Sequence, residues 1–208
     1  MSKYTLNTDL ARASDQGPSR INETGQYVGK FTSAIEVTSK NKTKGIELSF
    51  ESIDGQTCDY LTLWTEKENG EEVFGLRVLN SIMTCLQLRE ITTATGKVER
   101  YNKETKSKYI EEMTTFPALM NKPIGLLLQR ETYDKYDNTQ GHKMNIFGSF
   151  SAASKLMASE ILDKKTTPEK LAKVLLTLKD RTSKPKVSAP NQTDYAPTPP
   201  DFGNDIPW

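Results

Sequence analysis

Tyr60 and Trp64 stand four residues apart in the segment 57–65, with Leu61 and Leu63 between them. Side chains of an extended strand alternate between faces, so Asp59, Leu61 and Leu63 share one parity and Cys58, Tyr60, Thr62 and Trp64 the other. The two aliphatic residues belong with a core, which leaves Tyr60 and Trp64 as an outward aromatic pair. Flat rings of this kind accept stacked nucleobases, worth roughly 1–3 kcal/mol per base, provided that cations line the path of the phosphates. Three clusters supply cations: Lys40, Lys42 and Lys44 in the turn 39–45; Lys97, Arg100 and Lys103 around Tyr101; and Lys135 and Lys143 around Tyr136. The plainer alternatives are a second core beneath Trp64 and lysines that only solvate turns.

Stacking and charge neutralisation need no reactive group, and the rest of the chain offers little reactive chemistry. Cys58 and Cys85 are its two cysteines and His142 its single histidine. A zinc site takes about four such ligands, or three and a water, so a Cys/His zinc centre is excluded in practice. Neither a G-x-G-x-x-G nor a G-x-x-x-x-G-K-[ST] phosphate loop occurs, and no spaced acidic pair suggests a nuclease centre. His142 follows Gly141 in a turn, where solvation is its expected role. The expectation is a binding protein without cofactor, metal or catalytic activity.

The chain ends Asp201-Phe202-Gly203-Asn204-Asp205-Ile206-Pro207-Trp208, acids mixed with large apolar groups and no core periodicity. Before it stand Pro185, Pro190, Pro197, Pro199 and Pro200, a composition that predicts a mobile, semi-extended tether. This end resembles the C-terminal tip of bacterial single-stranded DNA-binding proteins, which typically reads Asp-Phe-Asp-Asp-Asp-Ile-Pro-Phe. Asp201, Phe202, Asp205, Ile206 and Pro207 match it in order and in distance from the terminus, while Gly203, Asn204 and Trp208 depart from it. The resemblance implies that the tip docks on replication, repair or recombination proteins. Trp208 would fill an apolar pocket, its terminal carboxylate would meet a basic side chain, and Ile206 would pack beside it. Phage-type single-stranded DNA-binding proteins are similar in a glycine-containing first strand, here around Gly29, and in a strand opening near Pro123-Ile124-Gly125.

Charge distribution agrees with a polyanion partner. The 208 residues hold 28 basic and 27 acidic side chains. Three of the acids, Asp194, Asp201 and Asp205, lie beyond Lys186 with no basic residue among them, so the remaining body is +4 (28 basic against 24 acidic). An acidic tail on a mildly basic body can compete for the surface that binds a polyanion. No stretch reaches the ~20 apolar residues of a membrane span, and no leader is apparent, so the expected location is cytoplasmic.

The elements that must position these residues follow from periodicity. Tyr27, Phe31, Ile35 and Val37 give a first strand, and Gly29 inside it predicts a bend or a close backbone approach. Ile46, Leu48 and Phe50 alternate with Glu47, Ser49 and Glu51 in a second strand, and Asp54-Gly55 is a hairpin turn into the third. Phe74, Val78, Ile82 and Leu86 place one face of a helix over 72–91. The polar residues 92–108 read as a mobile loop, and strands are expected over 124–133 and 143–150. Residues 151–181 read as helical, with Thr167 capping a helix that begins at Pro168 and carries Leu171, Val174, Leu175 and Leu178 as a stripe. That stripe packs on the barrel or, as the other use, on a second copy.

Three strands, a helix and two strands make up the order of an oligonucleotide/oligosaccharide-binding (OB) barrel. The expected fold is therefore mainly β with helices: an OB-fold-like five-stranded barrel with an inserted helix and C-terminal helices, then a disordered tail. In residue terms, 1–24 form a flexible arm and 25–150 an OB-like single-stranded DNA-binding domain. Residues 151–181 form a helical extension packed on the barrel, and 182–208 a disordered Pro-rich linker with its acidic partner-binding tip. Two functions are compatible with this layout. One is a sequence-tolerant single-stranded DNA-binding protein that coats exposed strands and recruits enzymes through the tip. The other is an adaptor that uses the tip to occupy replication and repair proteins and binds little DNA itself.

Overall fold

The computed structural model describes residues 5–8, 19–102, 104–135 and 139–183. The chain is mainly β. In order it forms β1 (Gly25–Thr38), β2 (Lys44–Ser52), β3 (Thr57–Glu66), α1 (Phe74–Cys85), β4 (Ala94–Asn102) and β5 (Ser107–Thr115). A 3-10 turn at Pro117–Leu119 leads to β6 (Pro123–Asp134), β7 (Gln140–Phe150), α2 (Ala158–Leu162), α3 (Lys170–Thr177) and the short β8 (Arg181–Thr182). The strand pairing runs β3-β2-β1-β5-β4, with β6 joined to β1, β7 and β8. All of these ladders are antiparallel except β6 with β8.

β1 is long because two different neighbours share one of its edges. Gly25–Lys30 pair with Leu128–Pro123 of β6, and farther on Ile35 pairs with Thr115 of β5. Its other edge carries β2, from Gly29 opposite Ser52 to Thr38 opposite Lys44. Gly29 lies where three strands cross, and a Cβ there would sit 2.0 Å from the Glu51 carbonyl oxygen. The close approach that a glycine inside a strand pattern implies is what the structure contains. At the β2–β3 turn, Gly55 has φ +77, in the left-handed region that glycine tolerates.

The core is an apolar layer between sheet and helix. Phe31, Leu48, Phe50, Leu61, Ile124, Leu126 and Leu128 enclose Ile82 of α1, all at most 1% exposed. Phe31 and Phe50 meet edge to face, centroids 6.0 Å apart. Helix α1 packs against both β3 and β7, and these two strands approach one another without a hydrogen-bonded ladder among the described residues. The sheet is therefore open there, with α1 across the gap.

Several expectations are corrected. The segment 92–108 is no loop: it forms β4 and the start of β5, paired from Ala94 opposite Thr115 to Asn102 opposite Ser107. Helix α1 stops at Cys85, and Leu86, Leu88 and Ile91, partly buried on the core, follow it outside the helix. Residues 19–24 are integrated into the fold, not a loose arm. Ile21 is 3% exposed in the core, and its backbone N–H donates to the Thr57 carbonyl at 2.9 Å.

Of the region 151–181 read as helical, the two helices α2 and α3 cover only Ala158–Leu162 and Lys170–Thr177, and α3 has no Thr167 cap. Its first turn is capped from a distance. Glu160, 0% exposed, accepts hydrogen bonds from the backbone N–H groups of Met157 (2.9 Å), Glu169 (2.7 Å) and Lys170 (2.9 Å). Burial opposes its charge, but those three donors and the nearby Lys165 hold the carboxyl below the usual range. The cap sets Leu171 against Leu127 and Phe150, with Val174, Leu175 and Leu178 packed around them, so the apolar stripe does face the sheet.

Candidate nucleic-acid interface

The outer face of β2 and β3 carries the aromatic pair, and the local backbone explains how. Phe50 pairs with Cys58 and Leu48 with Leu61, so β3 has one more residue than β2 across that step. This bulge at Asp59 and Tyr60 interrupts the simple alternation. It lets Cys58 (5% exposed) and Leu61 (1%) both point inward, and it turns Tyr60 outward at 55% exposure. Tyr60 has φ +61, a conformation that costs a bulky L-residue of the order of 1–3 kcal/mol. An aromatic side chain held out on a strained bulge is a feature for which core packing gives no reason.

Trp64, four residues farther along β3, is partly buried and stands outside the apolar core clusters. Two glycines seat it. A Cβ at Gly45, its β2 neighbour, would come within 2.8 Å of Cε3 of the indole, and one at Gly75 would lie 2.1 Å from the Trp64 carbonyl oxygen. The ring thus lies over bare backbone, and the start of α1 presses on the strand below. Thr62, opposite Glu47, separates the two aromatics.

The β4–β5 hairpin borders this face. Arg100 Nη1 meets Glu47 Oε1 at 2.7 Å, with both side chains largely buried, which fastens the hairpin to β2. Burial opposes the Arg100 charge, but Glu47, by its charge and its hydrogen bond, raises the pKa. Tyr109, opposite Arg100 in the ladder and 43% exposed, is an aromatic that the sequence reading did not select. Tyr109 shares one strand face with Glu111 and Met113, so no apolar alternation marks it in the sequence.

The cations are less available than their number suggests. Lys42 is ion-paired with Glu68, and Lys44 Nζ meets Glu66 at 3.1 Å. Lys143 Nζ lies 3.3 Å from Glu131, a 6% exposed carboxylate that also accepts from Asn145 and Ser183. Arg100 is held by Glu47. Lys40, Lys97, Tyr101 and Lys135 are exposed. Exposed pairs such as those of Lys42 and Lys44 are worth about 0–1 kcal/mol, so a phosphate can displace the carboxylate; the Arg100 and Lys143 pairs instead hold structure together. Lys40, Lys42 and Lys44 stand at the turn end of β1–β2, next to the Trp64 end of β3, because Lys44 and Gly45 pair with Glu66 and Trp64. Lys135 and Lys143 belong to the separate β6–β7 hairpin. Lys103, Tyr136 and the tip residues Asp201, Phe202, Asp205, Ile206, Pro207 and Trp208 lie outside the described residues.

Among the described residues no three His, Cys, Asp or Glu side chains are grouped to hold a metal ion, and no helix is long and apolar enough to cross a membrane. No protein-family model matches the chain, and no curated protein matches it.

Proposed function

We propose that the protein is a sequence-tolerant single-stranded DNA-binding protein of OB type, acting in the cytoplasm where strands are exposed during replication or recombination. The observation that carries this reading is Tyr60, kept outward at φ +61 on the same strand as a partly buried Trp64 seated on Gly45. Two rings on one sheet face, with Lys40, Lys42 and Lys44 at one end, suit bases stacked along a strand and phosphates at its rim. The neighbour order β3-β2-β1-β6-β7, with α1 between β3 and β6 in sequence, is the order of an OB barrel opened between its third and fifth strands. In that comparison the β4–β5 hairpin is an insertion. The β2–β3 face is also where OB domains hold oligonucleotides.

Because the stacking face is flanked by lysines, affinity for an unstructured oligonucleotide should fall with salt. The expected slope of log K against log salt is about −0.7 per phosphate neutralised, measured between about 50 and 200 mM. A slope near zero, or no binding at low salt, sinks the reading. The adaptor reading is favoured by one observation, the pairing of Lys42, Lys44, Arg100 and Lys143 with carboxylates. It gains if DNA binding is absent while the tip still captures partners.

The tip, by its resemblance to bacterial single-stranded DNA-binding proteins, recruits replication, repair or recombination enzymes. Truncation after Pro200 is expected to leave DNA affinity unchanged or slightly higher, and Trp208→Ala to lose those enzymes in pull-downs. Retention of every partner by Trp208→Ala removes the terminal aromatic as the anchor.

A further inference from the structure

Strand β4 ends the sheet: β5 pairs with one of its edges, and among the described residues nothing pairs with the other. An unpaired edge nine residues long is a template for another strand. Charges of one sign along such an edge repel a second copy; the charges on the outward face of β4 are mixed. Its outward residues alternate in sign, Lys97 then Glu99, about the inward Val98, which is 8% exposed. The same face carries the apolar side chains of Tyr101 and Ile110, 51% and 72% exposed.

We infer that β4 pairs antiparallel with β4 of a second copy of this chain, about a two-fold axis through Val98. In that register Lys97 faces Glu99 of the second copy, Glu99 faces its Lys97, and Thr95 faces its Tyr101. Opposite charges directly across an antiparallel pair are favourable, and like charges are not. Sliding the strands by two residues one way sets Glu99 against Glu99, and the other way Lys97 against Lys97, so charge selects one register. A two-fold axis normal to the sheet keeps the faces aligned, which leaves both Val98 side chains on the inward face. Within its own hairpin Lys97 already stands opposite Glu112, and Lys108 Nζ meets Glu99 at 2.7 Å, so the outer surface continues as alternating charge across the joint. A ladder of this length is small beside the about 1,200 Å² of a stable interface, so the dimer forms and dissociates with concentration. The inference rests on strand geometry and is independent of the nucleic-acid reading.

Sedimentation equilibrium of the full chain, with cysteine cross-linking to report the register, tests it. Cys58 and Cys85 are buried, and burial pushes the Cys58 thiol up to about 12, so neither competes under mild oxidation. The expected result is an average mass that rises from 23.4 kDa toward twice that value with concentration. Val98→Cys should give a covalent dimer on a non-reducing gel, and so should the double variant Lys97→Cys with Glu99→Cys. Neither Lys97→Cys nor Glu99→Cys should do so singly. The double variant changes only exposed positions, so the test survives if Val98→Cys folds poorly. A constant monomer mass with no covalent dimer overturns the inference. Cross-linking by Glu99→Cys as readily as by Val98→Cys also overturns it, because the register would then be wrong.

Discussion

Glu160→Ala is expected to lower Tm by about 6–12 °C, because a loss of roughly 3 kcal/mol shifts a chain of this size by ~2–4 °C per kcal/mol. The variant leaves the N–H groups of Met157, Glu169 and Lys170 without their acceptor at a site from which water is excluded. Charge-assisted bonds of this kind contribute ~1.5–3 kcal/mol each and do not simply add. Loss of the cap frees the start of α3, so Leu171 should leave its place against Leu127 and Phe150.

The same residue gives the protein an acid-sensitive term. Its folded-state pKa lies below the unfolded value of about 4.3, so its contribution is fully present above that pH and is lost as pH falls through the folded value. Glu131, whose charge burial opposes, is likewise held low by Ser183, Lys143 and Asn145, and acts in the same direction. Thermal melts of wild type and Glu160→Gln from neutral pH down to about pH 2, through the range below the unfolded value, check this, with a shallower fall in the variant. A Glu160→Ala melt that coincides with wild type contradicts the capping role.

Tyr60→Ala and Trp64→Ala should each weaken oligonucleotide binding about 5- to 150-fold, the equivalent of losing one stacked base at roughly 1–3 kcal/mol. Neither should cost what truncating a core aromatic costs, roughly 3–5 kcal/mol of stability. Tyr60 is 55% exposed and leaves no cavity. Tyr60→Gly separates the two roles more sharply. Glycine accepts φ +61 without strain, so this variant should melt at or above wild type while losing the same affinity. Binding that survives Tyr60→Gly moves the site off the bulge, and a large Tm drop in Trp64→Ala moves Trp64 into the core.

How much of this was legible in the sequence depended on burial. β1, β2 and β3 announced themselves through apolar alternation. The strand expected over 124–133 opens on the unbroken run Ile124–Leu128, and all five of those residues are buried. β4 and β5 escaped because β5 is exposed over most of its length and the inward face of β4 holds Gly96, Val98 and Arg100, which make no apolar period. Lys97, Glu99, Tyr101, Tyr109 and Ile110 show no contrast of polarity for a period to be read from.

The expected helix overruns the observed one because Leu86, Leu88 and Ile91 continue the apolar pattern after the backbone has left the helix. Trp64, which parity places on an exposed face, is partly buried, whereas the outward Tyr60 was expected. The bulge that also buries Cys58 was not, since a bulge breaks the period on which parity rests. Capping of α3 by Glu160 joins residues nine and ten apart in sequence, beyond the local spacing that cap signatures describe. The ion pairs of Lys42, Lys44, Arg100 and Lys143 depend on strand register, which composition does not encode.

Trp64 itself provides the most direct test that the β2–β3 face binds single strands. The chain has two tryptophans, so Trp208→Phe leaves Trp64 as the only indole. Titrating that variant with an oligothymidylate, following indole emission and the anisotropy of a labelled strand together, reads binding and its location at once. The account predicts that emission is quenched and shielded from acrylamide with the same midpoint as the anisotropy rise. Saturating anisotropy with unchanged Trp64 emission and accessibility, or no binding by either signal, contradicts it.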